Sequence, residues 1–309
     1  MNLTAKIYTD ETAARQHLEK LLWPNGPLCP HCGSLDAGTK LKGKSTRPGV
    51  YWCNSCQKPY SVTVGTVMEK SHIPLNKWLL ATHLLTSSKK GFSAHQLMRV
   101  LGLGSYRSAW FLAHRIREAM GETNPPLLGG PGKIVEADET YTGKKEGEVA
   151  STGFHHKRTV VGLVERGGKS RMIHVNKTNK REIQRVLDKH ADKQSHLMTD
   201  EARHYVLNTG FAKHCAVDHG KGEYGRYEDG LLVSTNAIEG AFSIFKRGMY
   251  GTYQHCGEQH LQRYLNEFGF RYSNRAKLGI DDAMRAETAL KGAAGKRLTY
   301  RRLNGQWIA

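Results

Sequence analysis

Apolar residues in the first part of the chain recur every three or four positions, which is the spacing of an amphipathic helix. Residues 1–26 predict one helix, which a Pro-Asn-Gly turn ends. Residues 65–120 predict three more helices. Pro74 stands at the start of the first, and Ser93 and Ser105 stand where the N-terminal caps of the other two belong. A helix, a short glycine-containing turn and a second helix are typical of a helix-turn-helix.

The pattern changes after residues 121–132, whose three prolines and four glycines indicate a linker. Beyond it, apolar and polar residues alternate in short stretches, which predicts strands with helices between the later ones. The predicted strands cover 134–138, 159–166, 170–177, 195–200 and 213–219, and the predicted helices cover 179–192, 201–208 and 234–251. This order predicts a mixed sheet with helices on its faces over residues 133–275. Residues 276–309 are expected to form a basic tail.

Four of the six cysteines form two Cys-x-x-Cys pairs, Cys29 with Cys32 and Cys53 with Cys56. In a reducing cytoplasm such pairs favour a metal over disulfides, and four thiolates make a closed, tetrahedral zinc site. Residues 27–64 are therefore predicted to form a zinc ribbon that folds on its metal, because so short a segment lacks a core of its own. A redox-active Cys-x-x-Cys is the alternative, but it leaves the second pair unexplained.

Charge adds information about partners. The chain has 46 Lys and Arg against 28 Asp and Glu, a net charge of +18, which makes a polyphosphate such as nucleic acid the expected partner. A merely basic protein without such a partner is the alternative. The chain has neither an apolar run of membrane-spanning length nor a signal sequence, so we expect it in the cytoplasm.

Tyr106, Arg107 and Arg115 are expected to meet DNA if residues 65–120 form a helix-turn-helix. A plain three-helix linker domain is the alternative.

Three acids fall at comparable places in the predicted sheet domain. Asp138 ends the first predicted strand, Asp200 ends the fourth, and Glu239 lies in the first turn of the helix after the fifth. Convergent carboxylates suit Mg²⁺ or Mn²⁺, which can serve phosphoryl transfer as a pair of ions. Structural interpretations compete with this one. Asp200 fits the cap of the following helix, and Asn236 with Glu239 has the spacing of a capping box.

Three segments of the chain resemble the ISXO2-like family (IS1595 group) of insertion-sequence transposases. They are "VEADETYTGKK", "MTDEARHY" and the long block from "STNAIEGAF" to "FRYSNR". The resemblance implies a multidomain α+β fold: a zinc ribbon, a helical DNA-binding region and an RNase H-like mixed α/β catalytic domain. It also implies a catalytic site of the DDE type in which Asp138, Asp200 and Glu239 bind the metal. Lys246, two helical turns beyond Glu239, corresponds to a basic residue that touches DNA phosphate. Some relatives carry Asn in the third position, so Asn236 is the alternative to Glu239.

The family implies metal-dependent cleavage at transposon ends and strand transfer into target DNA. Mg²⁺ or Mn²⁺ would serve catalysis, and Zn²⁺ would be structural. Terminal inverted repeats and target DNA are the expected partners, and pairing two ends implies at least a dimer on DNA. The expected location is the chromosome in a bacterial cytoplasm. Lys144, Lys145, Lys246 and Arg247 are expected to contact that DNA. The alternatives are a DNA-binding regulator without catalysis and another RNase H-like nuclease.

The segment "VEADET" holds Glu136, Asp138 and Glu139 within four positions. Residues two apart in a strand share a face of the sheet, so Glu136 and Asp138 point to one face and Glu139 points to the other. Spacing alone leaves Glu136 and Asp138 as candidates for the metal. The predicted strand end and the family motif favour Asp138.

Overall fold

The computed structural model describes residues 3–202, 204–205 and 210–299. In chain order, the helices are α1 Lys6–Thr9, α2 Glu11–Leu22, α3 Leu75–Ser87, α4 Ala94–Leu101, α5 Tyr106–Met120, α6 Lys180–His190, α7 Asn236–Gly248, α8 Glu258–Ser273 and α9 Asp282–Lys291. The strands are β1 Gly38–Lys40, β2 Tyr51–Cys53, β3 Pro59–Tyr60, β4 Ile134–Thr142, β5 Arg158–Glu165, β6 Ser170–Val175, β7 His196–Asp200, β8 Lys213–Val217, β9 Arg226–Glu228 and β10 Leu231–Val233. None of these helices combines the length and the apolar content that a bilayer crossing needs.

The chain divides into two compact units. Of the described residues, the first unit contains 3–88, 92–121 and 281–299, and the second contains 89–91, 122–202, 204–205 and 210–280. The main division falls between Gly121 and Glu122, at the start of the predicted linker. Part of that linker is docked in the second unit. Leu128 is buried there, and its N–H donates to the carbonyl of His190 at 2.8 Å.

The three helices predicted over residues 65–120 are confirmed as α3, α4 and α5. The side chain of Ser93 accepts from Gln96 N at 3.1 Å, and that of Ser105 accepts from Ser108 N at 3.2 Å, so both predicted caps are present. Gly102 ends α4 with a φ of +58°, a left-handed conformation that glycine adopts without strain. The region therefore has the helices that a helix-turn-helix needs, and its role in DNA binding stays a prediction.

The N-terminal cysteine segment forms a small antiparallel sheet in the order β1-β2-β3. The rings of Trp23, of Tyr51 in β2 and of Tyr60 in β3 pack together, with centroids 5.5 Å apart for the first two and 5.7 Å apart for the two tyrosines. They share a buried cluster with Cys29 and Cys53. The aromatic rings therefore supply the limited apolar contact that so short a segment contains.

The segment assigned to a basic tail contains α9, which packs against α3 and α5 in the first unit. Ala289 and Leu290 are buried, and Arg285 donates to the carbonyl of Thr86 at 3.3 Å. Residues 282–291 are thus a folded part of the first unit. Sequence reasoning missed the helix because alanines form much of its buried face and give a weak apolar period. Residues 300–309 lie outside the described residues.

The second unit is built on a five-stranded mixed sheet in the order β6-β5-β4-β7-β8. β4, β5 and β6 are antiparallel, whereas β7 and β8 run parallel to β4, as the order of predicted elements indicates. Helix α6 packs on one face, and α7 and α8 pack on the other. Val135 and Ala137 belong to the core on the α6 side. Glu136 and Asp138 therefore point to the α7 side.

Strand β4 is longer than predicted. It runs to Thr142 because its antiparallel ladder with β5 continues to the pair Thr142 and Arg158. Asp138 therefore lies in the middle of the strand, and its placement at a strand end was wrong. Asp200 does end β7, as predicted. The helix predicted over 201–208 includes residues 203 and 206–208, which lie outside the described residues.

Candidate active site and zinc centre

The thiols of Cys29, Cys32, Cys53 and Cys56 form a cluster in which all four Sγ atoms lie within 4.8 Å of one another. Two of the separations, Cys29 to Cys56 and Cys32 to Cys53, are 3.7 Å. A tetrahedral site with Zn–S bonds of about 2.3 Å requires S–S separations of about 3.8 Å. The cluster therefore fits Zn²⁺, and with four protein ligands it is a closed, structural site, as the two Cys-x-x-Cys pairs predict.

Asp138 and Asp200 lie where two neighbouring strands of the sheet separate. The parallel ladder of β4 with β7 ends at the pair Glu136 and Met198. Two residues further along each strand stand Asp138 and Asp200, so the two carboxylates start from the same level of the sheet. Where two strands are no longer hydrogen-bonded to each other, a ligand has room between their backbones. The position of the two aspartates is therefore suited to a ligand.

Burial and nearby carboxylates raise the pKa of both aspartates. Burial, then the charges of Glu139 and Asp200, and more weakly that of Glu239, raise the pKa of Asp138 to about 7. Burial, assisted by Glu139, also raises the pKa of Asp200. Neighbouring carboxylates repel one another when they are ionised, and a bound cation stabilises that ionised form. Their oxygen atoms fit a hard divalent ion such as Mg²⁺ or Mn²⁺.

Glu239 projects from the first turn of α7, as predicted. Its Oε1 accepts from the hydroxyl of Thr235 at 2.6 Å and lies 3.4 Å from Nε2 of His219. Among the residues that the structure describes, only the four cysteines gather three or more ligand atoms within 4.8 Å of one another. The carboxylate oxygens of Asp138, Asp200 and Glu239 therefore do not all lie within 4.8 Å of one another in the metal-free protein.

Glu136, the other acid on the face of Asp138, is 1% exposed and fully engaged by protein donors. Its Oε1 accepts from Arg166 Nε at 2.6 Å, and its Oε2 accepts from the amides of Ala237 and Ile238 at 2.7 and 3.0 Å. These amides belong to the first turn of α7. The helix is thus capped by Glu136, whereas Asn236 is exposed at its first position.

Glu139 points to the other face, as the strand period predicts. Its Oε2 accepts from His204 Nε2 at 2.9 Å and from the hydroxyl of Tyr205 at 3.1 Å. Burial disfavours the charged imidazole, but the hydrogen bond to Glu139 and the surrounding carboxylates outweigh it and raise the pKa of His204. Glu139 therefore ties the strand of Asp138 to the segment that follows Asp200. Sequence reasoning missed His204 and Tyr205 because only a contact across the fold singles them out.

Gly162 is the partner of Asp138 in the β4–β5 ladder and shares its face of the sheet. A Cβ at this position would lie 2.5 Å from Cδ1 of Ile238 and 2.6 Å from Cζ of Phe242, both on α7. The absence of a side chain therefore allows α7 to pack closely against the sheet next to Asp138. Phe242 and Ile238 belong to the buried core of this face, as the helical period predicts.

Gly162→Ala is expected to lower the free energy of unfolding by about 1–3 kcal/mol, because the extra methyl group overpacks the contact with α7. Gly240→Ala on α7 is the matched control. Its Cβ meets no atom within 4 Å, so the substitution should instead stabilise the helix by about 0.5–1 kcal/mol. Chemical denaturation of the two variants measures both effects. A Gly162→Ala protein as stable as the wild type would contradict the close packing.

Arg115 is not positioned to meet DNA. It follows Tyr106 by nine residues on α5, which places the two side chains on opposite sides of the helix. Arg115 is 6% exposed, lies over the ring of Trp78 at 5.2 Å, and donates to the carbonyl of Glu69 at 2.5 Å. Burial lowers its pKa to about 10. The expected DNA contact of Arg115 is therefore corrected, and this arginine belongs to the helical core.

The other basic and aromatic residues expected at DNA are accessible to differing degrees. Tyr106 and Arg107 are exposed at the start of α5, and the Tyr106 ring lies 4.3 Å from that of His95. Lys144, Lys246 and Arg247 are also exposed. Lys145 is half-buried and donates to the carbonyl of His155 at 3.1 Å. The exposed side chains are accessible to a polyanion, and their contacts with DNA stay predictions.

Comparison with known proteins places a match in each unit. Residues 127–273, which include Asp138, Asp200 and Glu239, match the family model of the ISXO2-like transposase domain. Residues 9–59 match that of the transposase zinc-ribbon domain. The chain is also 26% identical over 294 residues to a protein of Halobacterium salinarum described as an uncharacterized protein in transposable element ISH50, covering 86% of this chain and 92% of that relative. The chain therefore belongs to the ISXO2-like transposase family.

Proposed function

We propose that the protein is a DNA transposase that cleaves DNA at the ends of its mobile element and joins the freed strands to target DNA. The observation that carries this proposal is the placement of Asp138 and Asp200 two residues beyond the end of the β4–β7 ladder, where burial, Glu139 and Asp200 raise the pKa of Asp138 to about 7. The two aspartates start from one level of the sheet, and Glu239 stands on the helix that covers it. The strand order, with an antiparallel meander followed by two parallel strands, supports an RNase H-like fold for the second unit.

Asp138, Asp200 and Glu239 would hold Mg²⁺ or Mn²⁺, which when bound stabilises the attacking and leaving oxygens of phosphoryl transfer. Lys246 follows Glu239 by seven residues, so it lies on the same side of α7 and about 10 Å further along the helix. Its ammonium group is exposed and would bind a DNA phosphate. One rigid helix would then position the DNA backbone relative to the acids.

The remaining parts of the proposal concern partners. The zinc ribbon and helices α3 to α5 would bind terminal inverted repeats, and the net charge of +18 would make that binding depend strongly on salt. Pairing of two element ends requires at least a dimer on DNA. Cytoplasmic residence follows if DNA is the substrate. The relative in Halobacterium salinarum is archaeal, so the family match does not require a bacterial host.

A DNA-binding regulator without catalysis is the second candidate, because the basic charge and the helical region suit it equally well. The two half-buried aspartates favour the enzyme, since burial and neighbouring carboxylates raise the pKa of both, and such acids are unfavourable without a cation to offset their charge. Another RNase H-like nuclease would share these acids. The match of both units to transposase models favours the transposase.

The test is a strand-transfer assay with DNA that ends in the inverted repeats flanking the gene. The wild-type protein should form cleaved and joined products with Mg²⁺ or Mn²⁺, and none when the divalent ion is omitted. DNA binding without any product under both metals would favour the regulator.

The third metal ligand can be assigned with the same assay. Glu239→Gln should lower product formation by about a hundred-fold or more, because an amide neutralises no charge at the site. Asn236→Ala, the matched control three residues earlier on α7, should stay within a few-fold of the wild type, since this exposed residue does not cap the helix. The reverse result would identify Asn236 as the third ligand.

A further inference from the structure

We propose that the ion pair between Glu136 and Arg166 positions Glu239 relative to Asp138, a role that rests on the proposed function. Glu136 stands two residues before Asp138 on β4 and shares its face of the sheet. Its Oε2 accepts from the amides of Ala237 and Ile238, the latter being the residue directly before Glu239. One carboxylate therefore links the strand of the first acid to the helical turn of the third.

Arg166 extends this link to the chain that leads into α7. Its Nη1 donates to the carbonyl of Leu232 at 2.6 Å, and its Nη2 donates to the carbonyl and the hydroxyl of Ser234 at 2.9 and 2.8 Å. Its Nε donates to Glu136. A single guanidinium thus binds β4, β10 and the connection from β10 to α7, because its planar fork offers donors on several edges.

The pair is sheltered enough to hold a defined geometry. The side chain of Glu136 is 1% exposed and that of Arg166 is 21% exposed. A carboxylate at the first turn of a helix is also favoured by the helix dipole and by the amides that lack partners within the helix. Both oxygens of Glu136 are used by protein donors, so the residue positions the site and does not touch substrate.

Glu136→Gln tests the role with a minimal change of shape. The amide replaces one acceptor oxygen with a donor, which must then face either Arg166 or the α7 amides, all of which are donors. Glu165→Gln is the matched control. Glu165 pairs with Lys133 at 2.8 Å and accepts from Gly129 N at 3.0 Å, one register position away on the same two strands, and these partners do not belong to α7.

Three measurements on the full-length proteins separate positioning from general stability. In Glu136→Gln, we expect the Mg²⁺ or Mn²⁺ concentration at half-maximal strand transfer to rise by about ten-fold or more, as when an outer partner of a metal ligand is lost. Calorimetric titration with Mn²⁺ should show the same shift. Hydrogen exchange of the metal-free protein should speed up at the first turn of α7. Glu165→Gln should remain within two-fold of the wild type in all three, and both variants should keep wild-type DNA affinity.

A purely structural role would predict a different result, namely fewer active molecules and an unchanged half-saturating metal concentration, and that result would overturn the inference. If Glu136→Gln does not fold, the double variant Glu136→Met with Arg166→Met removes the ion pair without leaving one charge unpaired. It should show the same shift in metal dependence, and a wild-type value would likewise overturn the inference. A wild-type protein that binds no Mn²⁺ and forms no product would instead refute the proposed function.

Discussion

Replacing Asp138 or Asp200 with Asn is expected to lower the rate of strand transfer by about a thousand-fold or more. Losing several kcal/mol of transition-state stabilisation from a displaced metal corresponds to a loss of this size. The rate should be measured on pre-cleaved DNA ends at saturating Mg²⁺, with DNA affinity determined in parallel. Asp188→Asn is the matched control, because Asp188 lies on the surface of α6 and pairs with Lys193. An Asn variant within ten-fold of the wild type would exclude that aspartate from the metal site.

The same substitution at Asp138 has a second consequence, which separates lost activity from lost folding. The pKa of Asp138 is raised to about 7 in the folded, metal-free protein and is near 4 when the chain is unfolded. A group of this kind contributes stability below its unfolded pKa, and that contribution is lost as the pH rises through 7. Asn does not ionise. The thermal midpoint of Asp138→Asn relative to that of the wild type should therefore be higher at pH 8 than at pH 6, and no pH dependence would contradict the electrostatic cluster.

Removal of one zinc ligand is the second change with a large expected effect. Cys53→Ser should abolish stoichiometric zinc binding and unfold the cysteine segment, since structural zinc supplies about 10–16 kcal/mol to comparable small folds. Zinc content measured by atomic absorption, together with binding to the inverted repeats, tests this. Cys215→Ser is the control, because Cys215 is also buried but lies in β8, outside the cluster. Zinc retained at one ion per chain in Cys53→Ser would exclude the four-thiolate site.

Features encoded by local spacing could be predicted from the sequence. The cysteine cluster follows from two Cys-x-x-Cys pairs, and the caps of α4 and α5 follow from the positions of Ser93 and Ser105. The mixed sheet with helices on its faces could be predicted from the order of strands and helices along the chain. The buried side of α7 could be predicted from apolar residues that recur every three or four positions, because residues at that spacing lie on one side of a helix.

Features that depend on contacts between distant residues could not be predicted. The extra length of β4 comes from its pairing with β5, and the burial of Arg115 comes from the packing of α5 against α3. The capping of α7 is the clearest case. Asn236 has the local spacing of a cap, but the amides bind Glu136, which lies a hundred residues earlier in the chain. Local patterns specify which groups need partners, and only the fold determines which partners they obtain.

The position of α9 bears on the order in which the protein is made. The first unit includes residues from both sides of the second unit in the sequence, so a ribosome completes the second unit before it releases α9. Until then, the surfaces of α3 and α5 that pack against α9 remain uncovered, as in other domains whose parts are distant in sequence. A gene copy interrupted within the second unit thus encodes a chain in which neither unit is complete. Decayed copies truncated in this way would therefore encode a first unit that lacks α9.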